Sequence, residues 1–204
     1  MKSSEVAAVL GPVAQQQLGY IVRAQAQQVG VSDLDLLRAV QHGYFEREER
    51  GLYRSFGAPQ HPLPQLWAPY LTLQALGCEP MAVRSCAQAV LGLGSLEPDP
   101  QFAVSQVPER SPDFPGLALY PPTEEEGTEM LGMRCQAPAA IVHDLLLDGH
   151  DVGHVAEIAQ RAIERRLVSV PDMRSTLAPL AQKMGLDPTD DVLRWVLAQG
   201  GWEL

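Results

Sequence analysis

The sequence predicts an α+β protein: an N-terminal winged helix-turn-helix, then a mixed α/β body with a small sheet and a helical C-terminal third. Three observations predict it. A short amphipathic segment at residues 32–43 follows a glycine turn. Two β-prone arms around a charged tip come directly after it, at 44–54. Beyond a proline-rich break, short β stretches give way to helical periodicity.

Residues 5–17 read as a first helix that Gly11-Pro12 breaks or kinks, 18–22 as a short apolar strand, and 24–29 as a second helix that Gly30 closes. Ser32 with Asp35 three residues on forms a variant capping box, and Gly43 is the stop. At 100° per residue Leu36, Leu37 and Val40 share one face, while Asp35, Arg38 and His42 share the opposite one. The arms within 44–54 flank a charged tip, Glu48 to Gly51. A hairpin directly after the recognition-helix position is a wing.

Three prolines fall in Gly57-Ala58-Pro59-Gln60-His61-Pro62-Leu63-Pro64, which predicts an extended linker. The expected organisation is a winged-helix domain at 1–56, a proline-rich linker at 57–64 and a C-terminal domain at 65–204. In that last part, β stretches are expected at 102–107, 117–120 and 130–135. Helices are expected at 137–147 and 152–168, where Val155, Ile158, Ala159, Ala162 and Ile163 share a face. A last amphipathic helix follows Pro188-Thr189 and stops at Gly200-Gly201.

The 204 residues are 46% hydrophobic and 20% charged, the balance of a soluble globular chain. The formal charge of −10 argues against nucleic-acid binding by the whole surface, because phosphate neutralisation dominates such binding. The charge is unevenly placed, however. Residues 1–56 hold six basic and six acidic side chains, so 57–204 carry the whole excess. The candidate DNA-binding unit is neutral. That lowers its expected affinity, favours a dimer or multivalent mode, and makes the acidic body the face for a basic partner. Nothing reads as a signal peptide or a membrane span, so a cytoplasmic protein with no membrane partner is expected.

The short motifs of the chain resemble the AbiEi antitoxins, the abortive-infection (type IV toxin–antitoxin) family. The likeness rests on Arg23-Ala24-Gln25-Ala26, Val29-Gly30-Val31-Ser32, Phe45-Glu46-Arg47 and Arg50-Gly51-Leu52-Tyr53-Arg54. In that family the wing ends in Arg-Gly-(Val/Leu)-Tyr before a Pro-containing link, here Pro59. Further on, Arg84 to Leu93 is similar to the family's Ser-Ala-Leu-x-x-(His)-Gly-Leu helix. Asp144 stands where the family has an Asp, although the accompanying Thr and Arg are absent. Ala162-Ile163-Glu164-Arg165-Arg166-Leu167-Val168-Ser169 is similar to its Ala-x-x-Arg-(Gly)-Leu-Val-Ser segment. The resemblance implies an antitoxin and autoregulatory repressor. It would bind its own promoter DNA through the winged helix and counter a nucleotidyltransferase-like toxin through the body, directly or indirectly, with no catalytic centre and no cofactor.

Candidate DNA contacts are Arg38 and His42 on the helix and Arg47, Arg50 and Arg54 on the wing, since a guanidinium fork matches guanine and phosphate. Asp33, Asp35, Glu46, Glu48 and Glu49 stand among them and repel phosphate. A second reading therefore stays open: a protein-interaction module whose winged helix no longer binds DNA. The cluster His143, Asp144, Asp148, His150, Asp151 and His154 invites a metal, but no His-Glu-x-x-His exists and a turn separates the histidines, so no metal site is expected. Ser85 reads as an N-cap, and Cys78, Cys86 and Cys135 as reduced, packed thiols. Gly92-Leu93-Gly94 reads as a helix C-cap. Glu124-Glu125-Glu126 reads as a solvated loop that could meet a basic partner. Trp195 and Trp202 are either buried or partner anchors.

Overall fold

A computed structural model describes residues 1–123 and 127–203. The first part of the chain runs α1 (Ser3–Gln16), β1 (Tyr20–Val22), α2 (Arg23–Gln28), α3 (Asp33–Gln41), β2 (Phe45–Glu49), β3 (Leu52–Ser55) and α4 (Pro64–Ala75). It continues with β4 (Met81–Ala82), α5 (Arg84–Leu91), β5 (Gln101–Ala103), β6 (Ala118–Tyr120), β7 (Thr128–Met130) and β8 (Met133–Cys135). Helices α6 (Pro138–Leu147), α7 (Val152–Glu164), α8 (Val170–Leu177) and α9 (Val192–Gln199) close the chain. The fold is α+β, as the sequence predicts.

Two compact units divide the chain. Unit 1 is Met1–Pro80 with Val104–Pro122, and unit 2 is Met81–Ala103 with Thr123–Leu204. In unit 1, β1, β3 and β2 form an antiparallel sheet in that spatial order, with Ile21 opposite Tyr53 and Glu46 opposite Arg54. Helix α1 buries Val6, Leu10 and Ala14, one stripe at i, i+4 spacing, against Ile21, Ala26, Val31, Leu36, Ala39 and Phe45. Each of the larger side chains among them contributes about 1.5–3 kcal/mol by leaving water, the alanines less. The expected break at Gly11-Pro12 does not occur: α1 runs through it. The carbonyl that loses its partner at Pro12 belongs to Ala8, which is exposed, so water can satisfy it.

The proline-rich stretch is not a free linker, and the compact units do not part there. Its His61 N–H donates to Tyr20 Oη at 2.6 Å, and its Ala58 carbonyl accepts from the Arg54 guanidinium. The buried His61 ring stacks on Trp67 at 4.9 Å, and Trp67 stacks on Tyr70 at 5.5 Å. Helix α4 begins with Pro64 at its first turn and buries Leu66, Trp67, Tyr70, Leu71 and Leu73. These contacts hold residues 57–75 in unit 1. A hydrophobic helix behind a proline cluster is indistinguishable in sequence from the start of a new domain.

Unit 2 sets β5, β4, β8 and β7 side by side. Strand β4 runs antiparallel to β5 and parallel to β8, and β7–β8 is a hairpin where the sequence suggested one strand at 130–135. Gly92 closes α5 in the left-handed conformation. Asp151 caps α7, its carboxylate accepting from the His154 N–H. Val155, Ile158, Ala159 and Ala162 are buried as expected, whereas Ile163 is only half-buried, and α7 stops at Glu164 rather than near 168.

The end of α7 explains that shortening. Leu167 N–H reaches the Ala162 carbonyl and Arg166 N–H the Ile163 carbonyl, the paired bonds of a Schellman motif. The motif requires a left-handed residue, and Arg166 has φ 57° where the similar family segment carries glycine. Arg166→Gly is therefore expected to stabilise the protein by about 0.5–1 kcal/mol, strain relief exceeding the added unfolded-state entropy. A raised urea midpoint at unchanged slope would show it; a lowered midpoint would refute it.

Candidate nucleic-acid interface

Helix α3 is started by Ser32, whose Oγ accepts from Asp35 N–H at 3.2 Å. Its inner face is Leu36 and Ala39, with Val40 half-buried. Leu37, expected on that face, is instead 52% exposed, and Leu34 is 54% exposed. Ala39 takes the core place that Leu37 was assigned, joining Leu36 in the buried cluster with Val31 and Phe45. The outward stripe is Asp33, Leu34, Leu37, Arg38 and Gln41.

The acids at the start of α3 are neutralised within the fold. Asp33 pairs with the Arg23 guanidinium, whose hydrogen bonds hold its carboxyl below the ordinary range. Asp35 accepts from the Met1 ammonium at 2.8 Å and from Ser32 Oγ at 2.6 Å, which lower it likewise, and Arg38 lies 3.7 Å away. Arg38 stays exposed. His42 caps the end of α3, exposed, with Nδ1 2.7 Å from Ser3 Oγ. Arg38 and His42 line a shallow hollow with Lys2 and Tyr44.

The wing separates its three arginines. Glu48 and Glu49, expected in the tip, belong to β2. The turn is Arg50-Gly51, with Gly51 at φ 78°. Pairing Glu46 with Arg54 puts Arg54 on the face that Glu46 and Glu48 share. Its half-buried guanidinium is taken up by Glu46, Glu48 and the Ala58 carbonyl. Arg54 is thus a brace for the wing, correcting its expected place among the DNA contacts. Arg47 points the other way, exposed and without an ion pair among the described residues. Arg50 is exposed and pairs with Asp113 at 2.6 Å.

On this side of α3 lies a groove of about 750 Å³ that holds Arg23, Arg47, Arg50 and Arg110 beside Leu37 and Tyr53. Arg23 and Arg110 were not among the expected contacts. Arg23 is placed there by its backbone, whose N–H donates to the Gly51 carbonyl at 2.9 Å. A helical projection of 33–41 centred on Ala39 rather than Leu37 would have brought out Leu34 and Gln41. No sequence signal brings Arg110 to this place, since it comes from a loop far along the chain.

The other polar clusters are self-satisfied. Arg84 donates to both carboxylate oxygens of Asp148, at 2.8 and 2.7 Å, and Gln136 Nε2 donates to Asp144 Oδ2 at 2.8 Å. His143 Nδ1 lies 3.0 Å from Asp144 Oδ1, on α6, while His154 is on α7. No group of three potential metal ligands occurs among the described residues. Nor, among them, is any helix long and apolar enough to cross a membrane. Ser85 is not the N-cap of α5; Val83 is, and the Ser85 hydroxyl donates to Gln101 Oε1 at 2.9 Å. Trp195 is half-buried and Trp202 exposed, and the Glu124–Glu126 run lies outside the described residues.

All three cysteines are buried and free. Burial pushes the Cys86 and Cys135 thiols up to about 12 and raises Cys78 as well. A thiol-reactive dye at pH 8 is expected to label none of them in the native protein within minutes and all three after unfolding. Fast native labelling would contradict the packing.

An antiparallel sheet with a capped, outward-facing third helix and a hairpin behind it is the arrangement of a winged helix-turn-helix. Residues 12–55 match the family model described as "Transcriptional regulator, AbiEi antitoxin", from within α1 to the last residue of the wing. The match bears out the resemblance read from Arg23 to Arg54. No curated protein matches the chain.

Proposed function

We propose that the protein is an antitoxin that binds its own promoter DNA through unit 1 and represses its operon in the cytoplasm. The carrying observation is the outward stripe of α3, which includes Arg38 and is bracketed by basic side chains on both flanks: Lys2 and His42 on one, Arg23, Arg47 and Arg50 on the other. A helix about 10–12 Å across fits the major groove. The flanking groups then meet the two phosphate backbones, while Arg38 and Gln41 face base edges and Leu34 and Leu37 face thymine methyls. Arg47 and Arg50 serve as wing contacts; Arg54 supports them. A near-neutral unit engages DNA best as a homodimer on two half-sites.

The C-terminal part of the chain, residues 65–204 by the sequence division and so overlapping unit 1, counters a nucleotidyltransferase-like toxin, directly or indirectly. The acidic excess of 57–204 supports this, since an enzyme that handles nucleotides or RNA presents a basic surface. Neither role requires a catalytic group, cofactor or metal.

A titration of labelled upstream DNA at several salt concentrations tests the first part. Binding that weakens linearly on a log–log plot supports it, and no binding by folded protein at low salt refutes it. In that event the exposed Leu34 and Leu37 favour the second reading, a protein-docking winged helix. Co-expression with the neighbouring gene tests the antitoxin role: relief of toxicity supports it, and unrelieved toxicity refutes it.

A further inference from the structure

Among the described residues, the groove beside α3 contains four guanidiniums and two carboxylates, Asp33 and Asp113. Asp33 is taken by Arg23. Asp113 pairs with Arg50 although the two side chains are 80% and 67% exposed, so nothing but charge and hydrogen bonding holds them together. Arg47 and Arg110 in the same groove make no ion pair among the described residues. Asp113 lies in the loop between β5 and β6, which has no regular structure from 104 to 117 and carries Pro108, Pro112 and Pro115. That loop is outside the segment matched to the family. Its Phe114 also lines the groove, as does Leu37 of the outward stripe.

A carboxylate on a guanidinium occupies the position a phosphate oxygen takes, because both anions offer the fork the same acceptor geometry. We propose that Arg50, flanked by Arg47 and Arg110, is the seat of a DNA backbone phosphodiester, and that Asp113 is an internal competitor holding that seat until DNA displaces it. The proposal rests on the DNA-binding reading and adds to it a segment the winged helix alone does not contain. An exposed ion pair is weak, so the competition is soft. It lowers affinity for any duplex and leaves base discrimination to α3. Arg110, on the same loop, offsets the repulsion Asp113 exerts on the incoming strand.

The test uses the full chain, a labelled duplex of the upstream sequence and a scrambled duplex of equal length. Asp113→Asn is expected to bind both about threefold more tightly at low salt, with the slope of log K against log salt steeper by about one. In an Arg50→Ala background the same change is expected to have almost no effect. Glu109→Gln, which removes a charge from the same loop outside the groove lining, controls for net charge and is expected to gain less. Unchanged affinity and slope in Asp113→Asn, on a duplex the parent binds, overturns the competitor alone. So does a gain that persists without Arg50, or one that Glu109→Gln matches. If no variant binds either duplex, the competitor and the DNA-binding reading fall together.

Discussion

Arg54→Ala is expected to destabilise the protein by about 2–3 kcal/mol, while Arg47→Ala, two strand positions from the tip, leaves stability within about 0.5 kcal/mol. Arg54 is largely covered and serves Glu46, Glu48 and the Ala58 carbonyl at once. Removing it leaves Glu46 unpaired and Glu48 held by the Gln60 amide alone, and releases the segment that carries His61 onto Trp67. Leaving half-desolvated charges unpaired costs more than the pair contributed, hence the size of the effect. Acid should act on the same brace. The Gln60 amide first, and Arg54 second, hold the Glu48 carboxyl below the usual glutamate range. A group lowered on folding stabilises fully above its unfolded pKa of about 4.3, and that stabilisation is lost as pH falls through the folded value. Thermal melts of the parent from pH 7 to 3 should therefore fall more steeply than those of Glu48→Gln. Equal melts for parent and Arg54→Ala would return Arg54 to the list of free cations.

Gly19→Val is expected to cost about 3 kcal/mol or more. Gly19 has φ 90°, and a Cβ placed on it would overlap the Ala58 Cβ. Its N–H donates to the Ala14 carbonyl at 2.8 Å, closing α1, and its carbonyl accepts from Ser55 N–H at 2.7 Å, at the end of the wing. One residue thus joins the first helix, the sheet and the residues behind the wing, so no local shift removes the clash without breaking a bond. Ala58→Gly in the same chain should recover the steric part and leave the backbone strain. Denaturant unfolding of the two variants separates those contributions. A Gly19→Val midpoint equal to the parent's would show that the contact yields freely.

The winged helix was legible because its signals are local. Ser32 as cap, Gly30 and Gly43 as stops and the β-prone arms each depend on neighbours a few residues away. What failed depended on register or on distant chain. A helical projection weighs Leu above Ala, so Leu37 displaced Ala39 from the expected core face. The sense in which Arg54 faces is set by which β2 residue it pairs with, and the irregularity between Arg47 and Glu49 is invisible in composition. The groove was legible only in its wing half. Arg110 and Asp113 reach it through loop closure, for which sequence carries no period and no cap. In unit 2 the caps at Asp151 and Gly92 were readable, while Arg84's bond to Asp148, 64 residues away, was not.

Unit 1 is written in two pieces of chain, Met1–Pro80 and Val104–Pro122, with two strands and a helix of unit 2 encoded between them. During synthesis the opening stretch of unit 2 therefore emerges before unit 1 has its last segment. The two units thus emerge interleaved rather than one complete before the other begins, unlike the usual sequential order of domains. For the same reason no single cut liberates unit 1 whole. A fragment ending at residue 56, where the winged-helix pattern ends, lacks both α4 and the loop that supplies Arg110 and Asp113 to the groove.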